Sequence, residues 1–341
     1  MNPRAPFGKL YGRVMDLRNL LYHREVLKSF HLPGTTYSVG NLTTGGTGKT
    51  PLVAYIAELL LGRGEKVCIL TRGYGRKTRG RVVVSDGKNI LADAETGGDE
   101  PIELARRLHA RAVIIADADR LSAANWAYEQ FRVTHFILDD GFQHRRVKRD
   151  VDIVCIDATN PCGNGRILPA GTLRESLKSL SRASAIVITR AELASDLDSL
   201  KSRLQARNPD APIFSCYNGL RGISALDDFL SGDWSGVWSE SSPERFFAFS
   251  GIGNPGSFFE SLRRWKINVV GEKAFGDHHS YDKKSRDAIG NEASNCGAEL
   301  LITTAKDAVK LADLGTPLPC FVALTNTVID DEKSFRDLIV S

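Results

Sequence analysis

Short apolar runs recur along the chain and alternate with segments in which apolar residues return every third or fourth position. The runs Thr35–Val39, Val67–Leu70, Ala112–Ala116, His135–Leu138, Asp152–Ile156 and Ala185–Ile188 read as strands. They lack the strict apolar–polar alternation of a half-exposed sheet, so both faces should be covered, as in a parallel sheet. Helical periodicity falls between several of them: from about Gly48 to Gly62 (apolar stripe Leu52, Val53, Ile56, Leu60), and over Pro101–Leu108, Arg120–Gln130 and Glu192–Ala206. Pro51 lies in the first turn of its helix, where a missing N–H costs little. The alternation predicts a doubly wound α/β sheet.

Two further regions flank this block. Residues 5–30 read as an amphipathic helix with Phe7, Leu10, Tyr11, Val14, Leu17 and Leu21 on one face. Residues 219–244 are rich in Gly, Ser and Asp with weak periodicity, and suggest a linker, with room for a short hairpin. A second α/β run follows: strands at Phe246–Phe249, Ile267–Val270, Leu300–Thr303 and Cys320–Leu324, with helices near Ser257–Trp265 and after Asp282. The expected organisation is an N-terminal helix (1–34), a first α/β domain (35–218), a linker (219–244) and a smaller α/β lobe (245–341).

Charge changes this picture in one place. The 341 residues carry 45 Lys+Arg and 41 Asp+Glu, a net +4. Residues 1–34 hold six of the basic side chains and two of the acidic ones, so 39 of each remain elsewhere and the excess belongs to the N-terminal helix. A broadly basic nucleic-acid surface is excluded as an expectation. A basic amphipathic helix can pack on its own domain or lie in a membrane interface. No apolar run reaches the ~18–20 residues of a bilayer span, and no secretory signal opens the chain. The six cysteines form no CxxC pair, and three lie in strand-like runs, so they read as buried free thiols of a cytosolic chain.

Candidate chemistry begins at Thr43-Thr44-Gly45-Gly46-Thr47-Gly48-Lys49-Thr50, between a predicted strand and a helix. Glycines there let successive N–H groups converge on phosphate oxygens, and the helix N-terminus adds positive potential. Lys49 would reach the β/γ-phosphates and the Thr50 hydroxyl would ligate Mg²⁺. Thr43 stands where the strict P-loop pattern has Gly. No guanine signature follows, since Lys306 and Asp307 are adjacent, so ATP is the expected nucleotide. His135-Phe136-Ile137-Leu138-Asp139-Asp140 is an apolar strand ending in two carboxylates, which beside a P-loop are candidate metal ligands.

The run Asp139-Asp140-Gly141-Phe142-Gln143-His144, with Ser38-Val39-Gly40-Asn41-Leu42 leading into the P-loop, resembles the tetraacyldisaccharide 4'-kinase family of lipid A biosynthesis. Further matches follow in order: Thr71–Gly75, Gly98-Asp99-Glu100-Pro101, Gly163–Gly171, Leu173-Arg174-Glu175, Phe275-Gly276-Asp277-His278-His279 and Lys306–Lys310. The resemblance implies two Rossmann-like lobes at the cytoplasmic face of a Gram-negative inner membrane. It implies γ-phosphate transfer from ATP to the 4'-hydroxyl of an acylated glucosamine disaccharide 1-phosphate, giving lipid IVA. It also implies catalytic cooperation of Asp99 with His278. Cys162, Thr172, Ser176 and Ala305 depart from residues common in the family; Ala305 stands where Glu is usual.

Together these readings make Lys49, Asp99 and His278 the candidate catalytic residues and Thr43–Thr50 the nucleotide loop. Thr50, Asp139 and Asp140 are the metal candidates. Arg72, Glu100, Arg120, Gln143, His144, Arg174 and Glu175 are the candidate substrate contacts; arginine suits bidentate phosphate binding. Asp99 follows paired glycines and precedes Pro101, a position that an N-cap also occupies. With a lipid phosphate in view, the N-terminal helix becomes a membrane-docking element. No obligate protein partner is expected. The competing reading is a membrane-associated regulatory P-loop ATPase acting on a protein; such ATPases often carry Lys before the paired glycines, where this chain has Thr44.

Overall fold

A computed structural model of the chain describes residues 4–232, 244–277, 279–312 and 314–340. Its strands are β1 (Thr35–Asn41), β2 (Val67–Thr71), β3 (Val82–Asp86), β4 (Val113–Ala116), β5 (His135–Asp139), β6 (Val151–Asp157), β7 (Ala185–Thr189), β8 (Ile213–Ala225), β9 (Phe246–Ser250), β10 (Val269–Ala274), β11 (Leu300–Thr304) and β12 (Cys320–Ile329). The helices are α1 (Ala5–His23), α2 (Lys49–Gly62), α3 (Ala94–Gly97), α4 (Asp99–Arg107), α5 (Arg120–Phe131), α6 (Leu197–Gln205), α7 (Leu226–Ser231), α8 (Pro255–Arg264), α9 (Lys283–Asn295), α10 (Ala305–Ala308) and α11 (Glu332–Val340).

The strands form one sheet in the order β10-β9-β11-β12-β8-β7-β6-β1-β5-β2-β4-β3. Only the β3–β4 and β8–β12 pairs are antiparallel. The continuous apolar runs have the expected cause. Ile69 of β2, Ile137 of β5 and Cys155 of β6 enter one core, shared with the α2 residues Leu52, Val53, Ile56 and Leu60. Their neighbours point the other way: Leu70 and Phe136 into a second core, Val154 and Ile156 into a third. Each strand is thus buried on both faces, and no polar alternation is possible.

β1 lies between β5 and β6, with Val39 level with Asp139 on one side and Ile153 on the other. The loop after β1 and the acidic end of β5 therefore emerge side by side at the C-terminal edge of the sheet, where open α/β sheets bind ligands.

Several expectations are corrected. Residues 219–225, read as linker, belong to β8. Its first residues pair in parallel with β7, and from Cys216 onward it pairs antiparallel with β12. The Gly and Ser residues that weakened its pattern are strand residues. Residues 226–231 form α7; residues 233–243 lie outside the described residues. The N-terminal helix ends at His23, because Glu25 turns the chain with φ +57°. The helix expected over Glu192–Ala206 starts at Leu197 behind the cap Asp196, whose carboxylate accepts from Ser199 N. Edge strand β3 and terminal helix α11 had no clear periodic signal. α11 returns to the first half of the chain: Phe335 meets Phe214 edge-on at 5.1 Å, and Tyr37 Oη donates to Ile339 O at 2.6 Å. The cysteines are free, and Cys68, Cys155, Cys216 and Cys320 are buried.

Gly40, near the end of β1, fixes how closely the Asp140–Phe142 turn can approach. A Cβ there would lie 2.6 Å from both the Phe142 backbone N and its Cβ. Gly40→Ala should therefore cost about 1–3 kcal/mol through overpacking, read as a lower denaturant midpoint with an unchanged slope.

Candidate active site

The edge of the sheet opens into a cleft of about 1,090 Å³. The P-loop residues Thr44–Thr50 line one wall. Gly45 and Gly48 supply the left-handed turns (φ +107° and +71°). Thr43 does not need to. It lies at the bridged end of β1, opposite Leu173, while Thr44 N donates to Thr172 O at 2.8 Å. That is why a residue with a Cβ is accepted where the common pattern has Gly. Thr43 is buried and does not line the cleft. The loop is also held from below: Thr189 Oγ1 donates to Thr47 O at 2.8 Å, and Arg190, ion-paired with buried Asp157, donates to Gly46 O at 2.9 Å.

The Lys49 ammonium stands at 3.4 Å from Asn41 Oδ1, and at 3.5 Å from both Thr47 Oγ1 and Asp140 Oδ1. These are contacts at the long limit of hydrogen bonding, which leaves the cation able to turn toward a phosphate. Asp140 Oδ2 accepts from Arg174 Nη1 at 2.6 Å. Burial works against the Asp140 carboxylate, but Lys49 and Arg174 outweigh it and hold its pKa below the ordinary range. Asp139 is different. It is buried, and desolvation, reinforced by Glu100 and Asp140, pushes its pKa up to about 7 against the pull of Lys49 and Arg120.

A buried carboxylate that resists ionisation lies next to one whose Oδ1 has only the long 3.5 Å contact to Lys49. This pair fits a hard cation supplied with the nucleotide, with Thr50 at the start of α2 as a third oxygen. Among the described residues no cluster of three or more His, Cys, Asp or Glu could hold a metal by itself.

Arg72, Glu100, Arg120, Gln143, His144 and Arg174 all line the same cleft. Arg120 is buried and Arg72 exposed. Gln143 Nε2 donates to Asn41 O and to Glu175 Oε1, both at 2.9 Å. His144 is kept neutral by burial, with Arg120 and Arg149 adding to the effect, and its pKa falls to about 4. Its Nε2 is buried without a hydrogen-bond partner. Glu175 does not line the cleft. It is fully buried behind it, accepting from Asn19, Gln143, Ser179 and Arg182.

Asp99 begins α4, with Gly98 (φ +97°) as its N-cap, so Asp99 is not itself the cap. Its carboxylate meets Lys310 Nζ at 3.1 Å, and the Lys306 ammonium lies 3.6 Å from Glu100. His278 lies outside the described residues; its neighbour Asp277 lines the cleft. The later lobe also contributes Ile252, Gly253 and Asn254. Gly253 packs so tightly on the P-loop that a Cβ would come within 2.7 Å of Gly46 N. Sequence reading gave no role to Lys306, Lys310, Arg190 or Gly253. The Lys306-x-x-x-Lys310 spacing was visible, but its partners lie about 200 positions away.

The family profile described as tetraacyldisaccharide-1-P 4'-kinase matches residues 4–341. The chain belongs to this family. It is 41% identical over 340 residues to a tetraacyldisaccharide 4'-kinase from Desulfotalea psychrophila, covering 98% of this chain and 94% of the relative. The protein of that name from Geobacter sulfurreducens is 39% identical over 92% of this chain and 86% of its own. Among solved structures, LpxK from Aquifex aeolicus in complex with ATP superposes with a TM-score of 0.80 at 33% identity, covering 98% of this chain and 97% of that one. The P-loop architecture expected from the motif is therefore the fold of this family member.

The raised pKa of Asp139 has a measurable sign. A carboxyl protonated more readily folded than unfolded contributes stability at low pH, and loses it as pH rises from about 4 through about 7. Asp139→Asn should accordingly stabilise the nucleotide-free protein, with a gain in melting temperature that is larger at pH 8 than at pH 5.

Proposed function

We propose that the chain transfers the γ-phosphoryl group of ATP to the 4'-hydroxyl of a tetraacylated glucosamine disaccharide 1-phosphate, giving lipid IVA, at the cytoplasmic surface of an inner membrane. One observation carries this reading. In a chain that matches the kinase family end to end, the P-loop, the Asp139–Asp140 pair, Glu100 and three arginines face a single cleft. A P-loop switch acting on a protein partner would leave that acidic and arginine-lined wall unused.

The P-loop amides and Lys49 position and neutralise the nucleotide phosphates. Thr50, Asp139 and Asp140 would hold a Mg²⁺ ion, which would neutralise phosphate charge as the γ-phosphoryl group leaves ADP for the sugar hydroxyl. Asp99 is assigned as acceptor of the hydroxyl proton, in cooperation with His278. Arg72, Arg120 and Arg174 supply donors for phosphate, while Gln143 and neutral His144 orient sugar or phosphate oxygens. Glu175 acts indirectly, by fixing Gln143 and Arg182. Residues 35–218 are proposed as the phosphotransfer unit and residues 245–341 as the lobe that closes over it.

The membrane assignment is supported by α1. Its packing face is made of small residues: Gly8 and Gly12 are buried, and a Cβ on either would lie 2.8 Å from atoms of Ile167. Asn19 donates to Glu175 and Arg18 to Gln143 O. The helix thus holds to its domain without Phe7, Leu10, Val14 or Leu17. Phe7, Leu10, Val14 and Leu17 stand 55–64% exposed, with Lys9, Arg13 and Arg24 elsewhere on the segment. No described helix is long and apolar enough to cross a membrane, so the docking is peripheral. Tyr11 and Met15 of the same helix line the cleft, which brings the membrane surface to the substrate entrance.

Labelled ATP and acylated disaccharide 1-phosphate in detergent micelles should give a phosphorylated lipid. Absence of that product, with hydrolysis driven by a protein instead, would sink the reading. Lys49→Ala should depress transfer by roughly 10²–10³-fold. Replacing Phe7, Leu10, Val14 and Leu17 together by Ser should reduce co-sedimentation with anionic vesicles and leave thermal stability unchanged. Full vesicle binding by that variant would remove α1 as the docking element.

A further inference from the structure

The turn that carries Lys306 and Lys310 is built as a rigid platform. It starts at α10, where Thr304 Oγ1 accepts from Asp307 N at 3.1 Å. Asp307 is fully buried, and its Oδ2 accepts from Ser250 Oγ (2.9 Å), Gly251 N (3.1 Å) and Thr304 Oγ1 (2.8 Å). These bonds tie the turn to the end of β9. Lys310 N then donates to Asp307 O at 3.0 Å, which continues the turn.

From this platform both lysines reach across to the first turn of α4, and each also meets the later lobe, Lys306 at Asp277 and Lys310 at His279. Lys310 Nζ stands 3.1 Å from Asp99 Oδ2 and donates to His279 O at 3.1 Å. Lys306 Nζ stands 3.6 Å from Glu100 and 3.7 Å from Asp277. The lysine side chains are only 8% and 14% exposed, against 51% for surface cations such as Arg245. Glu103 and Asp307 add negative charge around Lys306, and Arg107 adds positive charge around Glu103.

We infer that Lys310 is a positioning residue for phosphotransfer: it holds the Asp99 carboxylate ionised, and ties it to the His279 backbone carbonyl of the later lobe. Lys306 makes the parallel tie one turn earlier, between Glu100 and Asp277. A largely dehydrated ammonium in direct contact favours the charged carboxylate over the neutral acid. A proton acceptor must be ionised and in place when the hydroxyl attacks. Two ties from one anchored turn fix the acceptor's orientation as well as its charge. Surface ion pairs contribute little to stability; this shielded one acts on the reactivity of its partner. The inference rests on the assignment of Asp99 as acceptor.

The experiment measures kcat, KM for ATP and the pH dependence of kcat/KM for wild type, Lys310→Met, Lys310→Gln, Asp99→Asn and the Lys310→Met/Asp99→Asn double variant. Lys310→Gln retains a donor for His279 O without the charge, and serves if the Met variant does not fold. Loss of the charge should lower kcat on the order of 10²-fold, with KM for ATP close to wild type. The acidic limb of kcat/KM should move up by about one pH unit or more. In the double variant, the loss of Lys310 should add nothing to the loss from Asp99→Asn. An unmoved acidic limb, or additive losses in the double variant, would overturn the role of Lys310. Near-normal turnover in Asp99→Asn would instead overturn the acceptor assignment, whatever Lys310 does.

Discussion

Two carboxylates at the end of one strand govern the arrangement of this molecule's cleft. Asp139 and Asp140 sit side by side where β5 leaves the sheet, one buried and one half-buried. Like charges so placed cannot both ionise without compensation. The compensation comes from three directions: Lys49 from the P-loop, Arg174 from the loop that bridges Thr43, and Arg120 from the start of α5. Each of these cations is also a natural contact for phosphate. The same charge problem that the folded chain must solve therefore gathers side chains suited to phosphate at one place.

The second constraint is how the two halves of the chain meet. The antiparallel β8–β12 pair runs from Phe321 opposite Ala225 to Ile329 opposite Cys216, and makes one sheet of both halves. Because β8 also pairs in parallel with β7, the seam is continuous with the P-loop half. The loop after β9 is thereby brought onto Gly46, and the turn after β11 onto the start of α4. The contact demands a glycine at position 253 and cations at 306 and 310.

In the N-terminal helix Gly8 and Gly12 pack on the domain, while Phe7, Leu10, Val14 and Leu17 stay exposed. A helical wheel identifies the apolar stripe but assigns it to the core by default. Gly8 and Gly12, which weaken helix propensity, are the residues that let the helix approach Ile167 closely.

The sequence alone was enough for the strand and helix alternation, the P-loop, the paired carboxylates and the family resemblance. These are local signals: burial on both faces gives unbroken apolar runs, and phosphate binding needs contiguous glycines. What it could not show was pairing at long range. Residues 219–225 read as linker because the stretch they open is rich in Gly, Ser and Asp and has weak periodicity; their hydrogen bonds to β12, about 100 positions later, make them strand. Glu175 looked like a cleft residue because it follows Arg174, yet its side chain faces inward and ends in a buried knot of donors. Lys306 and Lys310 had no visible purpose until the fold set them against Glu100 and Asp99. Chemistry carried by neighbours in sequence was legible, whereas chemistry completed by an opposite charge across the cleft was decided by tertiary structure, because only folding brings the two charges within a few ångströms and removes the water between them.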